Sequence, residues 1–269
     1  MAKQPTRFQQ ARLKLVWADH HIGQLQAIWD AYCKTDFCKV VIQDHPEGGQ
    51  EIRIVSVDPL PAEMVLTLGD AVHNLRSVLD YVVSEVLHWK DTRLTFPMGE
   101  TREELVSAFS VERGEPCAGC GRGSRKGRYA AVETAIPGIA AFIIDEIRPY
   151  KAADGLLWPL NKLDVRDKHR LLIPVLVPQT ITLFNVRDKN NNSIGRATVS
   201  IGPGGSQGLM RSDAGGIKVE RYGEPTAEIF LNEPGIIEGQ PLFPTLLNMS
   251  KAVAQTVTRF EEFLDAREA

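Results

Sequence analysis

Gly69-Asp70-Ala71-Val72-His73-Asn74-Leu75-Arg76-Ser77-Val78-Leu79-Asp80 lies inside a run of helical periodicity from about Pro61 to Trp89. Leu68, Val72, Leu75, Leu79, Val82 and Val86 recur in alternating steps of four and three. At about 100° per residue these steps put them on one face of a helix. His73, Arg76 and Asp80 then fall along one border of that stripe, and Asn74 along the other. Arg76 and Asp80 stand one turn apart and can pair. Polar groups half buried at such a border need partners, because an unpaired buried polar group is costly.

A second polar stretch, Asn161-Lys162-Leu163-Asp164-Val165-Arg166-Asp167-Lys168-His169-Arg170, follows far along the chain. Leu156, Leu160 and Leu163 define its apolar face, and Asp164 and Asp167 fall on that same face. Asp is almost never fully buried unless paired. Arg76, Lys168 and Arg170 are the partners on offer. Arg76 borders the stripe of a long helix and can fork to a carboxylate with two donors, which a lysine cannot. The spacing therefore predicts two packed helices, with Arg76 in salt-bridge range of Asp164 or Asp167 and Asp80 on the other side of the guanidinium. Pro174 ends the second helix soon after His169.

Working outward, residues 7 to 34 read as a long helix with Leu13, Val16, Trp17, Leu25, Ile28 and Tyr32 as its apolar face. His20 and His21, adjacent and so about 100° apart, suit a solvated or capping role better than chelation. Phe37 to Gln43 and Glu51 to Val57 read as strands of a hairpin, joined by the turn chemistry of Asp44 to Gly49. Thr101-Arg102-Glu103-Glu104 resembles a capping box opening a short helix to about Ser110. Residues 129 to 147 read as helical, broken by Arg148-Pro149-Tyr150. Beyond Arg170, Leu171 to Val177, Thr180 to Val186, Gly195 to Ile201, Gly216 to Arg221 and Thr226 to Leu231 read as an antiparallel meander. A helix from about Pro244 to Arg267 closes the chain. The fold class is α+β: residues 1–170 a helical bundle carrying the hairpin of 37–57, 171–240 an antiparallel β region, and 241–269 a helix packing back on the bundle.

A chain of 269 residues with 43% hydrophobic and 24% charged residues has a soluble globular composition. Its net charge of −3 gives no global pull toward nucleic acid or a membrane surface. Residues 1–10 lack a signal-peptide apolar run, and no stretch approaches the about 18 apolar residues of a membrane span. The cytoplasm is the expected compartment. Cys33, Cys38, Cys117 and Cys120 are the cysteines. Cys117-Ala118-Gly119-Cys120 has metal-like spacing, but a structural zinc wants four ligands, so free cytosolic thiols are the first reading. This pair sits in a Gly-rich segment, 112–128, with five Lys or Arg (Arg113, Arg122, Arg125, Lys126, Arg128). It predicts a mobile surface loop. A basic loop can touch RNA or DNA phosphate; as a charge run it reads first as solvated.

The helix of Gly69 to Asp80, Phe96-Pro97, Arg148-Pro149-Tyr150 and Asn161 to Arg170 together resemble a widespread, largely uncharacterised family of bacterial and phage proteins. The resemblance covers roughly the first 175 residues. This chain departs from the pattern in Arg148, where the family has Gln, and in the Cys/Arg-rich insertion. The helical core looks like a HEPN-type bundle, a class that includes toxins and phage-defence ribonucleases acting without metal. The resemblance implies an Arg and a His paired across a homodimer, RNA as partner and no cofactor; Arg166-Asp167-Lys168-His169 carries them at closer spacing.

Three readings follow. In a metal-independent endoribonuclease, His169 is general acid or base, Arg170 or Lys168 stabilises the phosphorane, and Asn74 and Arg76 position the phosphate. In a non-catalytic regulatory or binding module, Arg76, Asp80, Asp164 and Asp167 form a buried polar lock between helices. A zinc protein rests on Cys117 and Cys120 alone.

Overall fold

The computed structural model describes residues 7–86, 95–110, 127–172, 174–188, 190–200, 210–212, 216–223 and 226–268. Cys117, Cys120 and all but the last two residues of the predicted basic loop lie outside them, as does the predicted helix end at Trp89.

The α+β architecture is as the sequence indicates. Helix α1 (Gln9–Tyr32) leads into a hairpin of β1 (Cys38–Asp44) and β2 (Gln50–Val57), and then into α2 (Ala62–Val86). Met64, Leu68, Val72, Leu75, Leu79, Val82 and Val86 of α2 are buried, so the period of the stripe is the period of the core. Helix α2 packs against α1, against α6 (Leu157–Asp167) and against the closing helix α7 (Leu242–Glu268). Phe260 of α7 meets Phe96 and Phe142 edge-on, with ring centroids 5.8 and 5.0 Å away.

The face of α1 needs correction. Leu13, Val16 and Trp17 are exposed, and Ala11, Ala18, Ile22, Leu25, Trp29 and Tyr32 are buried. Large apolar residues drew the expectation, while the actual seam uses two alanines, whose small side chains let α1 lie close to its neighbours. Trp17 instead stacks on His20 in solvent, centroids 4.9 Å apart.

Helix α3 (Arg102–Phe109) is capped by Thr101, whose hydroxyl accepts from the Glu104 N–H at 3.2 Å. The Glu104 carboxylate reaches back to the Glu100 N–H rather than to that of Thr101. The helix expected over 129–147 is interrupted: α4 (Ala130–Ala135) stops before Pro137, and Gly138 takes a φ of 91°. Glu133 accepts from the N–H groups of Gly138 and Ala140, so the next helix, α5 (Ile139–Ala141), starts on a borrowed cap. It runs into a π-helical stretch, Phe142–Ile147, which ends at Arg148 with φ 57°. A 3₁₀ turn, Lys151–Ala153, leads to α6.

In the second half, the two strands expected over 171–186 are one, β3 (Val175–Arg187). Its first half pairs with β7 (Thr226–Glu233), and pairing with β4 (Ser193–Ser200) begins only at Thr180. Among the described residues Pro178 thus has a pairing neighbour on one side, a place that tolerates a missing N–H. The expected strand from Gly216 reduces to a bridge between Lys218 and Arg187, followed by β6 (Arg221–Tyr222) on β3. Strand β8 (Ile237–Pro241) pairs with β7 and was not expected; its residues are mostly exposed, so no alternation marks it. Strand β5 (Met210–Ser212) leaves this sheet and joins the hairpin on β2. A small second core of Ile52, Leu183, Val186 and Ile217 couples the two sheets.

Candidate functional site

The two motif helices run antiparallel, and their polar residues meet in successive rungs. At the first rung Gly69 faces Asp167; a Cβ on Gly69 would stand 2.6 Å from Asp167 Oδ2. At the second, His73 Nδ1 lies 2.8 Å from Asp164 Oδ1. At the third, Arg76 Nε donates to Asn161 Oδ1 at 2.7 Å. Each step of three or four residues up α2 meets a step of three back along α6.

This register corrects the expected Arg76 pairing. Arg76 is 6% exposed, but its carboxylate partner is Asp80, Nη1 to Oδ1 at 2.7 Å, and not Asp164 or Asp167. The reason is one helical turn: Arg76 sits opposite Asn161, the rung before Asp164. Asp80 Oδ1 also accepts from the Phe96 N–H at 2.7 Å, and Arg76 Nη2 reaches the Phe96 carbonyl at 3.5 Å. The pair thereby holds the Phe96-Pro97 segment against α2. Gly99 continues that segment by exchanging backbone hydrogen bonds with Pro149 and Lys151, so the Phe-Pro and Pro-Tyr motifs are neighbours in space.

Asp164, 4% exposed at its side chain, is satisfied from both sides, by His73 and by Lys168 Nζ at 2.6 Å. Asp167 is not. Among the described residues its Oδ1 is enclosed with no hydrogen-bond partner. Burial pushes its carboxyl above the usual carboxylate range, a Leu172 N–H hydrogen bond opposes this, and the charges of Asp164 and Asp70 add to it. The four-residue lock read from the sequence is thus an Arg76–Asp80 pair, a separate Asp164 pair, and an acid pressed over a glycine.

The proposed catalytic residues do not converge. Asn74 is buried but turned to α1, accepting from Lys14 Nζ at 2.6 Å and donating to the Asp70 carbonyl at 2.7 Å. Lys168 is held by Asp164. Arg170 donates to Glu233 Oε2 at 2.9 Å, beside Arg166 at 2.6 Å on the same oxygen. Helix α6 ends at Asp167, so His169 stands on the following turn, exposed.

Among the clefts that α6 lines, two hold residues of the motifs. One of about 250 Å³ is floored by Arg76 and Asn161 and walled by Tyr129 and Trp158. The other, about 500 Å³, gathers Lys151, Lys162, Arg166, His169 and Arg170. Trp158 lines both, with the Lys151 and Lys162 ammonium groups 5.0 and 5.3 Å from its ring centroid. Arg76 and His169 thus open on different clefts, and Asn74 on neither.

Sequence reasoning missed Gly69, Asn161 and Glu233 as partners and gave His73 no role. A glycine inside a strong helical pattern was the available signal for Gly69. His73 lay on the same border as Arg76, one turn before it. Nothing local marks Glu233, which reaches α6 only through the sheet.

Among the described residues no group of three His, Cys, Asp or Glu is placed to hold a metal ion, and no helix is long and apolar enough to cross a membrane. No family model, curated protein or solved structure matches this chain.

Proposed function

We propose that this chain is a binding module whose motif residues set the packing of α2 and α6, and that its ligand is RNA, held through phosphate contacts in the α6 cleft. One observation carries the reading: Asn74, Arg76, Lys168 and Arg170 are each committed to a partner within the chain. Engaged in this way they hold the geometry of the helices and the sheet, and the four open on no common cleft where a phosphorane could form. The α6 cleft carries Lys151, Lys162, Arg166 and Arg170. Glu100 pairs with Lys162, and Glu233 with both arginines, which leaves the surroundings net positive. Phosphate binding by such a groove weakens steeply with salt. The test is fluorescence anisotropy of labelled single-stranded RNA against salt, with Lys151→Ala and Lys162→Ala, alongside a cleavage assay. Salt-dependent binding without cleavage is the expected result; no binding at low salt overturns the reading.

A second reading, the metal-independent endoribonuclease, is favoured by His169 standing exposed in that same cleft beside Arg166 and Arg170. It requires cleavage that survives chelator and falls by about 10²-fold or more in His169→Ala. In that reading the active unit is a homodimer, so activity also falls on dilution to monomer.

A further inference from the structure

The second rung between α2 and α6 carries one more group. Ser77 Oγ lies 3.5 Å from His73 Nε2, one turn along α2, while His73 Nδ1 lies 2.8 Å from Asp164 Oδ1. An ionised carboxylate only accepts hydrogen bonds, so the proton of neutral His73 sits on Nδ1. That leaves the Nε2 lone pair facing the Ser77 hydroxyl. Asp164 is enclosed and fixed by Lys168, whereas the His73 side chain is 53% exposed, so an outside molecule can reach the imidazole edge where Ser77 sits. A hydroxyl beside a base, with the base oriented by a third group, is the general arrangement of an activated nucleophile. The 3.5 Å spacing is long for a hydrogen bond, as such contacts often are before substrate tightens them.

We propose that Ser77, His73 and Asp164 form an acyl-acceptor site, at which Ser77 takes the acyl group of a small activated ester. Ser77 Oγ forms a bond to the ester carbonyl carbon as its proton passes to His73 Nε2. The bond from that carbon to the leaving oxygen then breaks, and the leaving alcohol takes the proton from Nε2. The products are an acyl-serine and an alcohol, with no oxidant or metal consumed. Asp164 is a positioning residue: it sets the tautomer and stabilises the imidazolium that forms between the two steps. The Asp167 carboxyl lies within electrostatic reach of His73, Asp164 and Asp70, and Lys168 pairs with Asp164, so this carboxylate-rich corner favours neutral or cationic esters over anionic ones. The site faces neither of the clefts along α6 and stands whether or not RNA binds there.

The probe is p-nitrophenyl acetate, with acetylation at each serine read by peptide mass spectrometry. Ser77 is expected to acetylate faster than every other serine, and Ser77→Ala to lose that modification. His73→Gln, a change at an exposed side chain, should slow it by about 10²-fold or more. In the wild type the rate should level off once the imidazole is deprotonated, where an unassisted serine would keep climbing with hydroxide. Asp164→Asn should change this pH profile, which loss of packing alone would not do. The p-nitrophenyl monoester of succinic acid should react more slowly than the acetate; a faster reaction overturns the assigned ester class. Acetylation of Ser77 no faster than at other serines, or unchanged in His73→Gln, overturns the site itself.

Discussion

Gly69 shows how one missing side chain sets a helix crossing. In most helix interiors Gly→Ala stabilises by about 1 kcal/mol. Here the new methyl would meet both carboxylate oxygens of Asp167, at 2.6 and 2.8 Å. Overpacking of this kind costs about 1–3 kcal/mol. Gly69→Ala is therefore expected to lower stability in urea unfolding, while in an Asp167→Ala background the same change should raise it. Asp167 itself yields a pH prediction. Its carboxyl is raised by burial, so the folded state binds its proton more readily than the unfolded chain does. Folding is then favoured as pH falls through the folded value, fully so below the ordinary Asp value of about 3.9, and that share is lost as pH rises. Asp167→Asn keeps an acceptor for the Leu172 N–H and removes the charge. It should raise the Tm at pH 7, with the difference from wild type shrinking toward pH 4.

For the pair of motif elements, much was legible and one turn was not. The stripe of α2, the inward placement of Asp164 and Asp167, and the need for cross-helix partners all follow from periodicity and the cost of burying charge. Register does not: that Arg76 stands opposite Asn161 rather than Asp164 is a matter of how far α6 is slid along α2. Contacts distant in sequence fix that position, so no local pattern reveals it. The same limit hid Glu233, contributed by β7. Removing Arg76 takes its donors from Asn161 Oδ1 and the Phe96 carbonyl and leaves Asp80 to the Phe96 N–H. Arg76→Ala should cost about 3 kcal/mol by chemical denaturation, the low end for a broken buried pair because Asp80 keeps some contact with water. Arg76→Met with Asp80→Leu should cost less than the single change. Glu233→Ala should release Arg170 and leave Arg166 to the Pro234 carbonyl, to which it donates at 3.3 Å. Its expected signature is faster amide exchange confined to β7 and β8, with the helices keeping their protection.

Across the whole molecule the class was legible and the sheet order was not. Alternation finds strands, but it does not say which strand a long one such as β3 will hold on each side. The closing helix was readable from its period, and its Phe260 ties α2's Phe96 segment to the π-helical stretch. Phe260→Ala should therefore cost about 3–5 kcal/mol and lower the Tm in a single cooperative step. Strand β5 has its own implication, one of time. Gln50 pairs with Ser212 and Ile52 with Met210, so the open edge of the hairpin waits for a strand about 160 residues further along. At a synthesis rate of about 5–20 residues per second, that edge stands bare for roughly 8–30 s on the ribosome. Throughout that interval the nascent chain carries an unpaired strand able to recruit a stranger's, and a chaperone that shields β2 would protect the yield of folded protein rather than its final stability.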